Sequence, residues 1–294
     1  MLSADIHLLF KSYLDSLEDG PYEEDYLKLT YWMFRANQEQ GDRTDVPYLF
    51  PKSLWDKDYV GQKSLFHRIF NAGRVVGNYA IMRDLYSGKV EEGLSYHDTQ
   101  WDTYIQSQIS SLAVRQRKEE LYNTLLQTNA ESFLDIACGS GIGAEVMQKY
   151  HRRIIRYVGV DADQEAVDYC KKTHSGPSNQ FLKQDIRKLS PKHHGTFDVV
   201  WCSGLFDYFS SDLVFMKAAK TLLDMSKGVV VIGNMGPANM TIPMMSLLGW
   251  NLRYRSKHNL AQLAMVVRSK YKNFLDYRIT SDPTGIQHYL YLYK

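Results

Sequence analysis

The sequence predicts an α/β fold: a seven-stranded sheet with an antiparallel last strand, behind a helical N-terminal region. Three observations carry that expectation. Short apolar runs ending in an acid or a glycine turn recur from Phe133 onward and alternate with helical stretches, as parallel strands and their crossovers do. Residues 1–127 show helical periodicity. Near the end, Ser281-Asp282-Pro283-Thr284-Gly285 has Pro and Gly where a turn needs them, so the segments on either side pair as a hairpin.

The elements follow in order. Ser3 to Leu17 sets Ile6, Leu9, Phe10, Tyr13, Leu14 and Leu17 on one helical face, and Gly20-Pro21 stops it. Tyr22 to Gln40 repeats the pattern with Tyr26, Leu29, Met33 and Phe34. Residues 41–51 are a loop with two prolines, and Ser64 to Tyr86 and Thr99 to Leu126 are two further helices. A prefix of this kind cannot join a sheet, so it caps the carboxyl ends of the strands or forms a homodimer contact, with capping favoured. The expected division is a cap or substrate domain over residues 1–127 and a sheet domain over 128–294.

Phe133-Leu134-Asp135-Ile136 is a buried strand entering Ala137-Cys138-Gly139-Ser140-Gly141, where paired glycines let the backbone approach a ligand that any Cβ would exclude. Ile142 to Tyr150 is helical, so N–H groups at its start face that ligand. Tyr157 to Asp161 is the second strand, and Asp161 stands where a carboxylate accepts from both ribose hydroxyls. Phe181 to Ile186 is the third, with Asp185 placed to accept from an adenine amino group and Ile186 to pack on the ring. Phe197 to Cys202 is the fourth and opens into Ser203 to Tyr208, on the acceptor side. Gly228 to Asn234, Asn273 to Ser281 and Ile286 to Tyr293 complete the sheet. Ligands of open α/β sheets bind outside the carboxyl ends of the strands, where these motifs end.

Two adenosine cofactors fit the glycines, because Gly139-Ser140-Gly141-Ile142-Gly143-Ala144 also satisfies the dinucleotide fingerprint. Asp135 separates them. An acid aimed at the site suits the amino group of S-adenosylmethionine and would repel the two phosphates of NAD. A further strand-end acid, Asp185, argues the same way.

Phe133 to Gly141, Asp161, Asp185 and Phe197 to Cys202 resemble, in order and spacing, the motifs of class I S-adenosylmethionine-dependent methyltransferases. The resemblance implies a Rossmann-like seven-stranded sheet and S-adenosylmethionine as cofactor, leaving as S-adenosylhomocysteine. It implies contacts from Asp135, Ala137, Gly139, Gly141, Asp161, Ala162, Asp185, Ile186, Cys202 and Ser203. A narrower similarity reaches the bacterial methyltransferases associated with hydroxy-fatty-acid methyl esters. It rests on Cys202 to Phe209, Gly233-Asn234, Trp250 to Ser256, Asp282 to Ile286, and Gly77 to Met82 with Leu85-Tyr86. Here Gly73-Arg74-Val75-Val76 stands where that group has Arg-Gly-Tyr-Ala, a departure at the expected substrate grip. After the fourth strand, Cys202-Ser203-Gly204-Leu205 replaces the Asn/Asp-Pro-Pro-Tyr run of enzymes that methylate nucleic-acid bases or protein glutamine.

A net charge of +2, with 44% hydrophobic and 23% charged residues, implies neither a nucleic-acid nor a membrane partner. Cys138, Cys170 and Cys202 show no metal-ligand spacing and read as reduced thiols of a cytoplasmic protein, with no metal expected. Methyl transfer from a sulfonium needs alignment more than acid–base help, and a carboxylate acceptor needs no base. The substrate-facing candidates are His97, with Asp98 beside it in an inter-helix loop, Tyr208, Tyr254 and Arg255, the last suited to an acceptor carboxylate. Arg74, Tyr79, Asn234 and Met240 are expected to bind the acceptor, and Arg115 or Arg117 is placed to meet the cofactor's carboxylate. The expected activity is methyl transfer to a carboxylate or hydroxyl oxygen of a small, apolar molecule. The alternatives are small-molecule N-methylation and a non-catalytic cofactor-binding partner.

Overall fold

The computed structural model describes residues 3–17, 19–39, 63–72, 76–150, 154–271 and 273–294. The chain opens with helices α1 (Ser3–Asp15), α2 (Tyr26–Glu39), α3 (Leu65–Asn71), α4 (Tyr79–Ser87), α5 (Tyr96–Ser107) and α6 (Ile109–Thr128). Strands and helices then alternate: β1 (Ser132–Ile136), α7 (Ile142–Tyr150), β2 (Arg156–Asp161), α8 (Gln164–Thr173), β3 (Asn179–Lys183), α9 (Pro191–His194), β4 (Phe197–Cys202), α10 (Asp212–Met225) and β5 (Ser226–Met235). The remaining elements are α11 (Ile242–Leu247), α12 (Lys257–Lys270), β6 (Asp276–Ser281) and β7 (Gln287–Tyr293).

The helical prefix is more divided than its periodicity suggests. The segment Ser64 to Tyr86 forms α3 and α4, because the Asn78 side chain accepts from the Ala80 and Ile81 N–H groups, 3.1 Å each, and starts a new helix. Thr99 to Leu126 belongs to α5 and α6, which break at Gln108, an extended residue (ψ 143°), while the Ser111 hydroxyl donates to the Ile105 carbonyl at 2.6 Å. The stretch over Tyr22 to Gln40 begins with a 3₁₀ turn at Glu23–Asp25 before α2. The expected loop over residues 41–51 lies outside the described residues.

Residues 1–112 with 239–251 make one compact unit, and 113–238 with 252–294 a second. This division differs from one at 127/128. The later turns of α6 bury Leu121 and Leu125 in the core beneath the sheet and so belong with it. In the first unit α2 packs on α1 and α11. Its aromatic centre is Phe66, Trp101 and Tyr104, with Phe66 and Trp101 rings 4.8 Å apart. No helix among the described residues is long and apolar enough to cross a membrane.

The second unit holds the sheet, in the order β3-β2-β1-β4-β5-β7-β6. Strands β1 to β5 are parallel, and β7 runs antiparallel to both β5 and β6. The expected hairpin turn is present: the Gly285 N–H donates to the Asp282 carbonyl at 3.0 Å, with Gly285 at φ +76°. Strand pleating sorts side chains onto two faces. Leu134, Ile136, Val200, Val230 and Leu290 face α10 and α12, whereas Phe133, Tyr157, Trp201, Val231 and Tyr289 face α6, α7 and α8.

Candidate functional site

Strand β1 ends in a strained turn. Ala137, a non-glycine, sits at φ +55°, followed by Gly139 at +51° and Gly141 at +76°. A left-handed alanine persists only where its surroundings hold it, which marks functional turns. Here the Cys138 N–H donates to the Val160 carbonyl at 3.1 Å, and the Gly139 N–H donates to the Asp161 carboxylate at 2.9 Å. Below the turn the Cys170 thiol donates to the Gly139 carbonyl at 3.3 Å. A Cβ on Gly139 would meet nothing nearer than the Ala137 oxygen at 4.0 Å, so that side of the turn is open. On Gly141 it would strike His174 and Cys170, so that glycine serves packing against α8.

Beside the turn, over the carboxyl ends of β1 to β4, lies a cavity of about 690 Å³, within the roughly 300–1,000 Å³ of small-molecule sites. Ala137, Asp161, Ala162, Asp185 and Ile186 line it, each expected there from the sequence, together with Leu205 and Phe209. Burial raises the Asp161 carboxyl above its ordinary value, and the Asp163 and Gly139 N–H groups partly offset this. Each of its oxygens already takes one backbone donor and retains a lone pair for a ribose hydroxyl. Asp185 is held down to about 2, chiefly by hydrogen bonds from the Arg187 guanidinium. An adenine amino group would share that carboxylate with Arg187. Ile186 offers an apolar face for a purine.

Other residues stand differently from expectation. Asp135 does not line the cavity. The pleat places it on the Phe133 face, 3% exposed, where its carboxylate accepts from the Tyr157 hydroxyl at 3.1 Å and from the Gly143 N–H. It supports the turn from beneath. The Cys202 side chain is buried in the core facing α10, and Ser203 is buried beside it.

Arg255, expected to grip an acceptor, is a strut only 2% exposed. Its guanidinium donates to the carbonyls of Phe206 (3.1 Å) and Phe209 (2.6 Å), to the Asn234 side chain (3.0 Å) and to Asp212 (3.2 Å). Asn234 is fully buried and spends its amide on the Met235 and Arg253 carbonyls. Both side chains are tied to the protein's own backbone and side chains. Tyr208, in the 3₁₀ turn Phe206–Tyr208, is 43% exposed, and Tyr254 is half-buried on the segment stitched to that turn by the Arg253 N–H and the Asp207 carbonyl, 2.6 Å apart.

In the first unit, His97 lies in the first turn of α5 instead of a loop, because Ser95 caps that helix by accepting from the Asp98 N–H. The His97 ring accepts from the Trp101 indole at 3.2 Å, and Asp98 binds the Ser95 hydroxyl and the Lys63 N–H, so it does not orient the histidine. Tyr79 opens α4, Met240 is 71% exposed, and Arg74 lies outside the described residues.

The sequence reading gave no role to Asp207. It is 2% exposed and accepts from the Met235 N–H at 2.6 Å, and burial lifts it to about 6. An acid in a run of aromatics just past a strand was the available signal.

A family profile described as a methyltransferase domain matches residues 133–225. The chain carries an S-adenosylmethionine-dependent methyltransferase domain. Among solved structures, a possible exported protein from Bordetella parapertussis superposes with a TM-score of 0.62 at 14% identity, covering 92% of this chain and 96% of its own. Magnesium protoporphyrin IX methyltransferase from Synechocystis superposes with a TM-score of 0.52 in two structures. The one with bound S-adenosylhomocysteine has 14% identity and covers 72% of this chain and 92% of its own. The one with bound S-adenosylmethionine has 12% identity and covers 77% and 97%. These likenesses show the shared fold. No curated protein matches the sequence. The cavity, the ribose acceptor and the purine face of the methyltransferase domain fit S-adenosylmethionine, which when bound supplies an electrophilic methyl on sulfur.

Asp135 gives the methyltransferase domain a testable pH signature. Burial raises its folded carboxyl to about 7, against about 4 when unfolded. Between those values the folded chain keeps a proton that the unfolded chain has lost, so stability falls as pH rises from about 4 to about 7. Asp135→Asn is expected to flatten that part of a urea-midpoint profile. A variant with the wild-type slope would refute the assignment.

Proposed function

We propose that the domain methylates an oxygen, carboxylate or hydroxyl, of a small, partly apolar molecule in the cytoplasm. The observation that carries this is the pair of tyrosines past β4: Tyr208 in its 3₁₀ turn, and half-buried Tyr254 on the segment tied to that turn by the Arg253 N–H. A tyrosine hydroxyl is protonated at neutral pH and donates a hydrogen bond. An oxygen nucleophile can accept such a bond on one lone pair and attack with another. A neutral amine has a single lone pair, which the same bond would block. A carboxylate arrives ionised, so its methylation needs alignment and exclusion of water but no base. Leu205 and Phe209, on the same segment as Tyr208, supply the apolar surroundings. The three free, buried thiols support a reducing compartment.

Transfer of labelled methyl to a panel of carboxylic acids, phenols and amines tests the reading. Turnover is expected on oxygen acceptors, with Tyr254→Phe lowering it about five- to tenfold, the worth of one neutral hydrogen bond, and leaving adenosylhomocysteine affinity unchanged. Methylation confined to amines would overturn it.

A further inference from the structure

The helical unit holds a cavity of its own, of about 660 Å³. Its lining comes wholly from the first unit: the 3₁₀ turn before α2, the first turns of α2, the junction of α5 and α6, and Met240 with Thr241. That volume again suits a small molecule. Four hydroxyls line it, and their protons are already committed. Thr30 donates to the Tyr26 carbonyl, Thr103 to the Thr99 carbonyl and Ser107 to the Tyr104 carbonyl, each at 2.8 Å, and Thr241 donates to the Asn239 amide oxygen at 2.6 Å. Helical serines and threonines reach such carbonyls because they lie one turn back. A hydroxyl has one proton and two lone pairs, so toward a ligand these oxygens can only accept.

The Gln108 amide is turned the same way. Its nitrogen donates to the Tyr104 carbonyl at 3.0 Å, which leaves its oxygen as a further acceptor. Glu23 adds an exposed carboxylate, and no lysine, arginine or histidine is among the described residues that line the cavity. Leu27 and Met240, 82% and 71% exposed, give it an apolar flank. A wall that accepts hydrogen bonds and carries negative charge asks its ligand for donors and positive charge. A phosphate or carboxylate would set lone pairs against lone pairs and anion against anion. A neutral polyol would donate but leave the charge of Glu23 unanswered. A primary ammonium brings three donors, no acceptor and one positive charge, and its aliphatic chain covers the apolar flank.

We propose that the cavity of the helical unit binds a small alkylammonium ion, its N–H groups received by Glu23 and by the hydroxyl oxygens whose protons are spent. The site is independent of the reaction proposed for the sheet unit. Titration calorimetry of the full chain at low salt compares putrescine, a four-carbon diamine, with the diol of the same length and with succinate. The three probes share a carbon chain and differ in charge.

Putrescine is expected to bind at least about threefold more tightly than the diol, as an exposed ion pair allows, and succinate not at all. Glu23→Gln should bring putrescine down to the affinity of the diol while the melting temperature stays unchanged, because the carboxylate is exposed. The near-isosteric Thr103→Val removes one acceptor and should weaken putrescine about threefold. A diol that matches putrescine on wild-type protein would overturn the proposal, and so would binding of succinate. Putrescine affinity untouched by both substitutions would place its site elsewhere and overturn it too. So would the lack of any putrescine binding up to about 10 mM, a concentration at which even a weak cavity ligand is held.

Discussion

Gly139→Val is expected to leave a folded protein that no longer binds S-adenosylhomocysteine. The glycine sits at φ +51°, so any side chain there costs roughly 1–2 kcal/mol of stability. No protein atom crowds the new group, because the space beyond the glycine is open. That open side is where the cofactor must pass close to the backbone. The substitution is therefore mild for folding and severe for binding, on the order of a hundredfold or more in dissociation constant. Gly143→Ala is the instructive contrast. Its Cβ would stand 2.3 Å from the Asp135 carboxylate, so its damage should appear in the melting temperature. Calorimetry and thermal unfolding on both variants separate the two effects. Retained affinity in Gly139→Val would mean that the turn faces something else.

Asp161→Ala should weaken the same ligand by roughly 1–3 kcal/mol, a loss of about tenfold to a hundredfold. Two causes combine. The ribose loses its acceptors, and the Gly139 N–H loses the carboxylate that holds the turn at 2.9 Å. Asp161→Asn, which keeps one acceptor oxygen, should fall between wild type and alanine. An unchanged dissociation constant in the alanine variant would remove Asp161 from the site.

The fold was legible because the buried central strands β1 and β4 read as near-continuous apolar runs, and acids or glycines follow the carboxyl ends of β1 to β3. Helix breaks were not, since periodicity continues across Asn78 and Gln108 and the interruptions are made by a capping amide and a serine hydroxyl. The direction of Asp135 was legible after all. Two-residue alternation with Leu134 and Ile136 already assigns it to the Phe133 face, toward α7, but its chemical type outweighed its parity. Arg255 and Asn234 were a different case. The strut spends its donors on the Phe206 and Phe209 carbonyls, 49 and 46 positions away, and no local pattern announces such partners. Charged side chains in loops look available until the backbone that claims them is in place.

The discontinuity of the first unit bears on how this protein can be inherited in pieces. The chain crosses between units at 112/113, 238/239 and 251/252. The short segment 239–251 carries α11, whose Met244, Met245 and Leu247 are buried and which packs on α2. A single recombination event upstream of β1 would deliver a foreign prefix to a helix shaped for the native one. Productive exchange between relatives must move both segments together, so the prefix and α11 are expected to travel through evolution as a linked pair, while the sheet drifts on its own.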